Sequence, residues 1–365
     1  MPIQADDYFS FALPAVILMA IGLKMPLGKL KINKNPEKYM ERVKQYLEKR
    51  PNIGLTLVLT GFICGLLNFL SPENLKQVFY LAARLTHVGV FYVIYSPNKN
   101  KRLIVPGVIL LVIGQSLLTG MFGELIFVLA CSLILILLGK KIAFWRKLVL
   151  TLGGVFFIII IQSVKKDYRN KSWNQGADAS YFLELVTDRI TDPSTILNPG
   201  TLFYTSVRMN QGWLVAETIY QVPNRHPFAY GETIWQSIAA TIVPRVLWPD
   251  KPEAGGKANL KRFWGFDLIG WSTNIGPLGE AYANFDRIGG IVYMFFYGLF
   301  FNLVLSLILK GADRRPTIIL WIPFLFFNVI TVETDLLTTM GALLKGLFFT
   351  WIVFKVFSKV FRMAL

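Results

Sequence analysis

The run Leu148-Val-Leu-Thr-Leu-Gly-Gly-Val-Phe-Phe-Ile-Ile-Ile-Ile161 passes directly into Gln162-Ser-Val-Lys-Lys-Asp-Tyr-Arg169. The two halves of that passage decide the fold. The first, extended to 145–163, matches the roughly 20 apolar residues that cross a bilayer. The second is dense in charge and opens a long segment, 164–285, rich in Arg, Trp, Tyr, Gly and Pro. Outward on both sides the chain returns to apolar runs. We read nine spans, at 8–23, 54–70, 76–95, 103–119, 121–138, 145–163, 286–309, 317–332 and 336–357. Pro14 and Pro323 fall inside spans and are expected to kink or shorten them. The 365 residues are 54% hydrophobic with a mean hydropathy of +0.49, above the apolar share of a soluble domain. The expected fold is an all-α polytopic membrane protein, one membrane domain over 1–365.

A formal net charge of +16 invites a nucleic-acid reading. The placement of the charge argues against it. Lys24, Lys29, Lys31, Lys34, Lys38, Arg42, Lys44, Lys49 and Arg50 follow the first span. Later connections carry Lys99, Lys101 and Arg102, then Lys140, Lys141, Arg146 and Lys147, then Lys310, Arg314 and Arg315. All fall on one side of a membrane if the chain starts outside and ends inside. Short or acidic loops, including Glu333 and Asp335, fall on the other. The positive-inside rule makes the basic side cytoplasmic, with the N-terminus outside and the C-terminus inside. The segment 164–285 is then extracytoplasmic.

Pro36 opens 36–50, where Tyr39, Val43, Tyr46 and Leu47 recur at helical spacing. That pattern suits a helix lying on the cytoplasmic leaflet, or a solvated basic connector. The long segment is aromatic and periodic, unlike a disordered linker. Helices are expected over 179–191 and 201–221, and a re-entrant or interfacial helix over 232–243, ended by Pro244. Cys64 and Cys131 both lie in apolar runs and read as core thiols.

Several residues of the segment carry chemistry. Lys165 and Arg169 are four apart and share a helix face. They suit either snorkelling to lipid phosphates or a grip on a pyrophosphate. Arg208 sits among apolar residues, where it suits a structural ion pair or bidentate phosphate binding. Arg245 sits in Val243-Pro-Arg-Val-Leu-Trp-Pro249, a stiff mount for a catalytic cation or a well-packed turn. Glu280 precedes the seventh span, where it suits a general base for a sugar hydroxyl or a partner orienting Arg208 or Arg245. His226 is a structural loop histidine or a base, and His87 reads as a core histidine. Trp213, Trp235, Trp248, Trp264 and Trp271 suit an interfacial belt or stacking on sugar rings. HExxH, CxxC, a P-loop, the dinucleotide glycine pattern and GxSxG are all missing from the sequence, so no metal or nucleotide cofactor is expected.

Five stretches together resemble the Wzy-type oligosaccharide repeat-unit polymerases of bacteria. They are Gln162–Arg169, Arg208-Met-Asn210, Pro227-Phe-Ala-Tyr-Gly231, Pro244-Arg-Val-Leu-Trp-Pro-Asp-Lys-Pro252 and Gly279-Glu-Ala-Tyr-Ala-Asn-Phe285. The resemblance covers mainly 100–310. It implies an inner-membrane glycosyltransferase of the GT-C type, without metal, that joins undecaprenyl-pyrophosphate-linked repeat units at the periplasmic face. Its functional arginines carry over onto Arg208 and Arg245, and less directly onto Arg169. Trp248, Lys251, Tyr282 and Asn284 fall within its motifs and are implied as substrate contacts. The implied partners are the lipid-linked glycan, membrane lipids and a chain-length regulator protein, with no nucleic acid. Members of that family carry more than nine spans, so an N-terminal portion is expected to be short or to precede residue 1. An O-antigen ligase and a polysaccharide transporter or flippase are the alternative readings.

Overall fold

Every element of regular structure that the computed structural model describes is helical, as the apolar runs require. It describes residues 2–28, 35–138, 140–176, 178–192, 194–200, 202–203, 206, 210–268, 273–331, 333–360 and 365. Among the described residues, seven helical stretches are long and apolar enough to cross a membrane: Ala5–Lys24, Ile53–Leu70, Leu75–Tyr95, Lys101–Thr119, Phe144–Asn174, Gly276–Gly311 and Leu336–Lys359. The other two expected spans correspond to shorter apolar stretches, Gly123–Leu137 and Pro316–Ile330. Contacts group the chain into two compact units. One is Met1–Asn33 with Asn210–Leu365, and the other is Lys34–Met209.

The unit Lys34–Met209 holds α2 (Pro36–Glu48), α3 (Ile53–Leu70), α4 (Glu73–Ala83), α5 (Leu85–Tyr95), α6 (Lys101–Thr119), α7 (Gly123–Leu137), α8 (Phe144–Gln175), α9 (Ala179–Thr191) and α10 (Ser194–Leu197). The expected third span is interrupted at Arg84, between α4 and α5. The Arg84 guanidinium pairs with Glu124 at the start of α7 and bonds the Tyr80 hydroxyl. A charge inside an apolar run is costly unless paired, and this long-range pair supplies the partner. His87, in the same span, is half-buried close to both. α3 packs along α4 and α5. At Gly61 a Cβ would stand 2.2 Å from Thr86 N, so the helices meet backbone to backbone, as small residues allow in membranes. Apolar side chains of α6, α7 and α8 form a buried cluster that includes Val108, Val112, Leu125, Val164 and Tyr168.

α8 does not stop at the end of its apolar run. It continues through 164–175, because no Gly or Pro interrupts the charged tail before Gly176, which ends it with φ 71°. α9 begins where Asp178 accepts a hydrogen bond from Tyr181 N (3.1 Å), an N-cap. That carboxyl is held below its ordinary range by the Ser180 hydroxyl and then the Tyr181 N–H. α9 packs on α8 through Phe182, edge-on to Tyr168 at 5.2 Å, and through Arg189 and Asp167 at 2.9 Å.

The other unit holds α1 (Ala5–Lys24), α11 (Gly212–Gln221), α12 (Glu232–Ile242), α13 (Lys257–Trp264), α14 (Gly276–Gly311), a 3-10 turn Pro316–Trp321, α15 (Ile322–Ile330) and α16 (Leu336–Lys359). α1 lies along α14. A Cβ on Gly298 would meet Met19 O at 2.2 Å, and one on Gly22 would meet Phe295 O at 2.3 Å. Asn302 Nδ2 adds hydrogen bonds to Gly22 O (3.1 Å) and Met25 O (2.8 Å). α14 breaks at Asp286, with φ 59° and ψ −171°, where the apolar run was expected to begin. The preceding turns, from Gly276 to Phe285, are helical, so this part of the expected loop belongs to the same long element. Pro323 sits in the first turn of α15, where its missing N–H costs no helical bond, and so it starts a helix instead of kinking one. α12 and α15 pack on α16, and α11 packs on α14.

Candidate functional site

The Pro244–Pro252 stretch follows α12 directly and is held by its own turns. Leu247 N and Trp248 N both donate to Pro244 O, at 3.0 and 3.2 Å. Arg245 Nη1 donates to Pro249 O at 3.2 Å. Lys251 turns back onto the end of α12, where its Nζ donates to Ala240 O (2.8 Å) and Val243 O (2.9 Å). Those carbonyls have no partner within the helix, and a cation there also offsets the negative end of the helix dipole. Arg245 is exposed, and Trp248 and Lys251 are half-buried. The prolines and these bonds thus hold two cations on a short rigid turn.

A third cation joins them from elsewhere in the chain. Lys345, on α16, lies within electrostatic reach of both Lys251 and Arg245. Sequence reading passed over it. Its signal was there: Lys345 is the lone charge in the apolar stretch 336–354, and charged residues inside spans mark functional sites. Beside these cations, Val246 and Leu247 are 90% and 76% exposed, and Ile242 at the end of α12 is also largely exposed. Positive charge and bare apolar surface therefore adjoin, as an amphiphilic anion requires.

Glu280 is elsewhere in the same unit and takes a different part. It is buried, and its Oε1 accepts from Asn259 Nδ2 (2.8 Å) and its Oε2 from Leu336 N (2.7 Å). Glu280 thus ties α13 and the N-terminus of α16 to α14. The expectation that it orients Arg245 is corrected: Glu280 pairs with a buried amide and a helix N-terminus, where a backbone donor is free to bind an anion. Asp335 extends the latch, accepting from Gly256 N (3.0 Å) and Thr338 N (2.8 Å). Gly256 has φ 84°, and a Cβ there would lie 2.0 Å from Thr273 O, so a side chain is excluded on both grounds.

Tyr282 and Asn284 are buried near Glu280. Tyr282 packs edge-on against Phe11 at 5.2 Å. Asn284 Nδ2 donates to Thr233 Oγ1 (2.7 Å) and Glu280 O (2.9 Å). His226 is half-buried beside Gly265, and its backbone N donates to Gln221 O at 3.1 Å. Lys165 and Arg169 belong to the other unit. They lie one turn apart on α8, as their spacing predicted. Arg169 Nε donates to Gly120 O (2.7 Å) and its guanidinium lies over Trp173 at 5.1 Å, so it also braces the turn between α6 and α7. Arg208 and Trp271 lie outside the described residues. Among the described residues, no group of three or more His, Cys, Asp or Glu is placed to hold a metal ion.

The structure thus brings Arg245 and Lys251 together with Lys345, sets Glu280 and Asn284 in buried hydrogen bonds, and packs Tyr282 against Phe11. No curated protein and no solved structure matches the chain. A family model described as a domain of unknown function, DUF8712, matches residues 27–313, which include every residue of the site except Lys345 and the latch residues on α16. The chain belongs to the DUF8712 family.

Proposed function

We propose that the chain is a metal-independent glycosyltransferase that lengthens a glycan carried on undecaprenyl pyrophosphate, at the outer face of a bacterial inner membrane. In this reading nine apolar helices cross or enter the bilayer, with a GT-C-like arrangement and the segment between α8 and α14 outside. The observation that carries it is the cluster of Arg245, Lys251 and Lys345 beside exposed Val246 and Leu247. A lipid pyrophosphate pairs adjacent negative charges with a long apolar chain, and this surface offers the complement of both. In the reaction, a hydroxyl oxygen of the incoming repeat unit attacks the anomeric carbon of the carried glycan. The bond from that carbon to the pyrophosphate oxygen breaks, the hydroxyl proton passes to a base or to water, and undecaprenyl pyrophosphate leaves. The three cations would stabilise the charge that develops on the leaving group, usually the largest single catalytic contribution.

The test is product analysis. Purified protein in lipid discs, given a lipid-linked repeat unit and no other acceptor, is expected to yield a ladder of longer glycans by mass spectrometry. Arg245→Ala is expected to lower the rate by about 10²–10³-fold, the loss from one well-placed charge donor. Lys345→Ala should lower it by at least about tenfold, since a cation of the same cluster is lost. A well-folded Arg245→Ala protein that still makes full-length glycan overturns the reading. Transfer to a separate core lipid without ladder growth would make it a ligase, and movement across vesicles without bond formation a transporter.

A further inference from the structure

A cleft of about 1030 Å3 opens in the unit Lys34–Met209, between α2 and the ends of α5, α6 and α7 that adjoin the basic connections. α2 packs on α5 with Met40, Val43 and Leu47 buried. The next face of α2 carries Glu37, Glu41 and Glu48, four and seven residues apart, and this acidic row lines the cleft. Other walls carry the opposite sign: Lys101 and Arg102 at the start of α6 and Lys140 after α7. Among the described residues, no ion pair joins the acids of α2 to these cations. Ile94, Val105 and Leu135 supply apolar lining. Tyr95 braces the site, with its hydroxyl donating to Leu135 O (2.6 Å) and Lys44 over its ring at 5.9 Å.

A ligand for this cleft needs a cationic end for α2, an anionic group for the cations, and an apolar body. Opposite charges facing each other across a cavity of ligand size suit a zwitterion. On α2, Glu37, Glu41 and Glu48 outnumber the single cation Lys44 in the lining, so a purely anionic headgroup is disfavoured there. The apolar body has a route, because Leu103 and Leu110 of α6 are 78% and 66% exposed, as lipid-facing residues are. We propose that this cleft binds an aminophospholipid of the ethanolamine type. Its phosphate lies toward Lys101, Arg102 and Lys140 and its ammonium toward Glu37, Glu41 and Glu48. The acidic side selects a primary ammonium over a trimethylated one, because only the former donates hydrogen bonds.

The experiment is competitive lipid binding by native mass spectrometry. The purified full chain is offered equal phosphatidylethanolamine, phosphatidylglycerol and phosphatidylcholine. Retained phosphatidylethanolamine should exceed each of the others by about tenfold, the effect of one charge-assisted hydrogen bond. The combined variant Glu37→Gln, Glu41→Gln and Glu48→Gln should turn the preference to phosphatidylglycerol. Lys101→Gln with Arg102→Gln should lower phosphatidylethanolamine retention about tenfold. If the triple variant fails to fold, Glu41→Gln alone should shift selectivity the same way by a smaller factor. The proposal is overturned if the parent protein holds phosphatidylglycerol or phosphatidylcholine as well as phosphatidylethanolamine, or if the folded Gln variants keep the parent's preference.

Discussion

Glu280 is where the residue scale decides between two chemistries. A base for a sugar hydroxyl needs slack and access, whereas Glu280 is enclosed and already accepts from Asn259 Nδ2 and Leu336 N. Removing it leaves two buried donors unmet, at about 1–3 kcal/mol each. Glu280→Ala is therefore expected to destabilise the protein by about 2–6 kcal/mol on that basis. Glu280→Gln keeps the shape and one acceptor, so its loss should fall between the parent and Ala. Thermal unfolding in detergent checks the order. A Gln variant that melts with the parent but loses all transfer would instead restore the base. The residue type and position of Glu280 were legible in the sequence, but its role was not. Its partners lie 21 residues before it and 56 residues after it, and local spacing carries no information about such a meeting. The same holds for Lys345, whose companions Arg245 and Lys251 are about a hundred residues away in the chain.

At the scale of elements, periodicity and punctuation were enough wherever the cause was local. The helix expected over 179–191 coincides with α9, Pro244 followed the end of α12, and Pro36 opened α2. The interruption at Arg84 was hidden because a lone arginine leaves an apolar run still apolar, and its partner Glu124 is forty residues on. Glycine makes the element-scale prediction sharp, because position alone separates packing glycines from idle ones. A Cβ on Gly298 meets Met19 O at 2.2 Å, whereas one on Gly107 in α6 meets nothing within 4 Å. Gly298→Leu should force α1 from α14 at a cost of about 1–3 kcal/mol or more, with earlier melting and aggregation on gel filtration. Gly107→Ala should leave melting unchanged or raise it slightly, since Ala exceeds Gly in helix propensity by roughly 0.5–1 kcal/mol. Equal behaviour of the two variants would mean that α1 and α14 do not meet through their glycines.

For the whole molecule, the membrane orientation connects fold to proposed chemistry. The seven long apolar helices among the described residues fit a membrane protein, but length and composition alone leave the outer and inner sides interchangeable. Charge breaks that symmetry. Lys99, Lys101 and Arg102 precede or open α6, and Lys310, Arg314 and Arg315 end α14 or follow it. Basic residues close to span ends are retained in the cytoplasm, so both sets should lie inside and α11 to α13 outside. The prediction is read by cysteine labelling. Cys64 and Cys131, both free and in apolar helices, are first replaced by Ser. In that background Asn224→Cys and Glu253→Cys, at exposed positions between α11 and α13, should react with a membrane-impermeant maleimide once the outer membrane is opened. Asn100→Cys and Asp313→Cys, also exposed, should react only after the inner membrane is permeabilised. The reverse pattern would put Arg245, Lys251 and Lys345 within reach of cytoplasmic nucleotide sugars. A donor already activated on a lipid would then be unnecessary, and the proposed polymerisation would lose its physical basis.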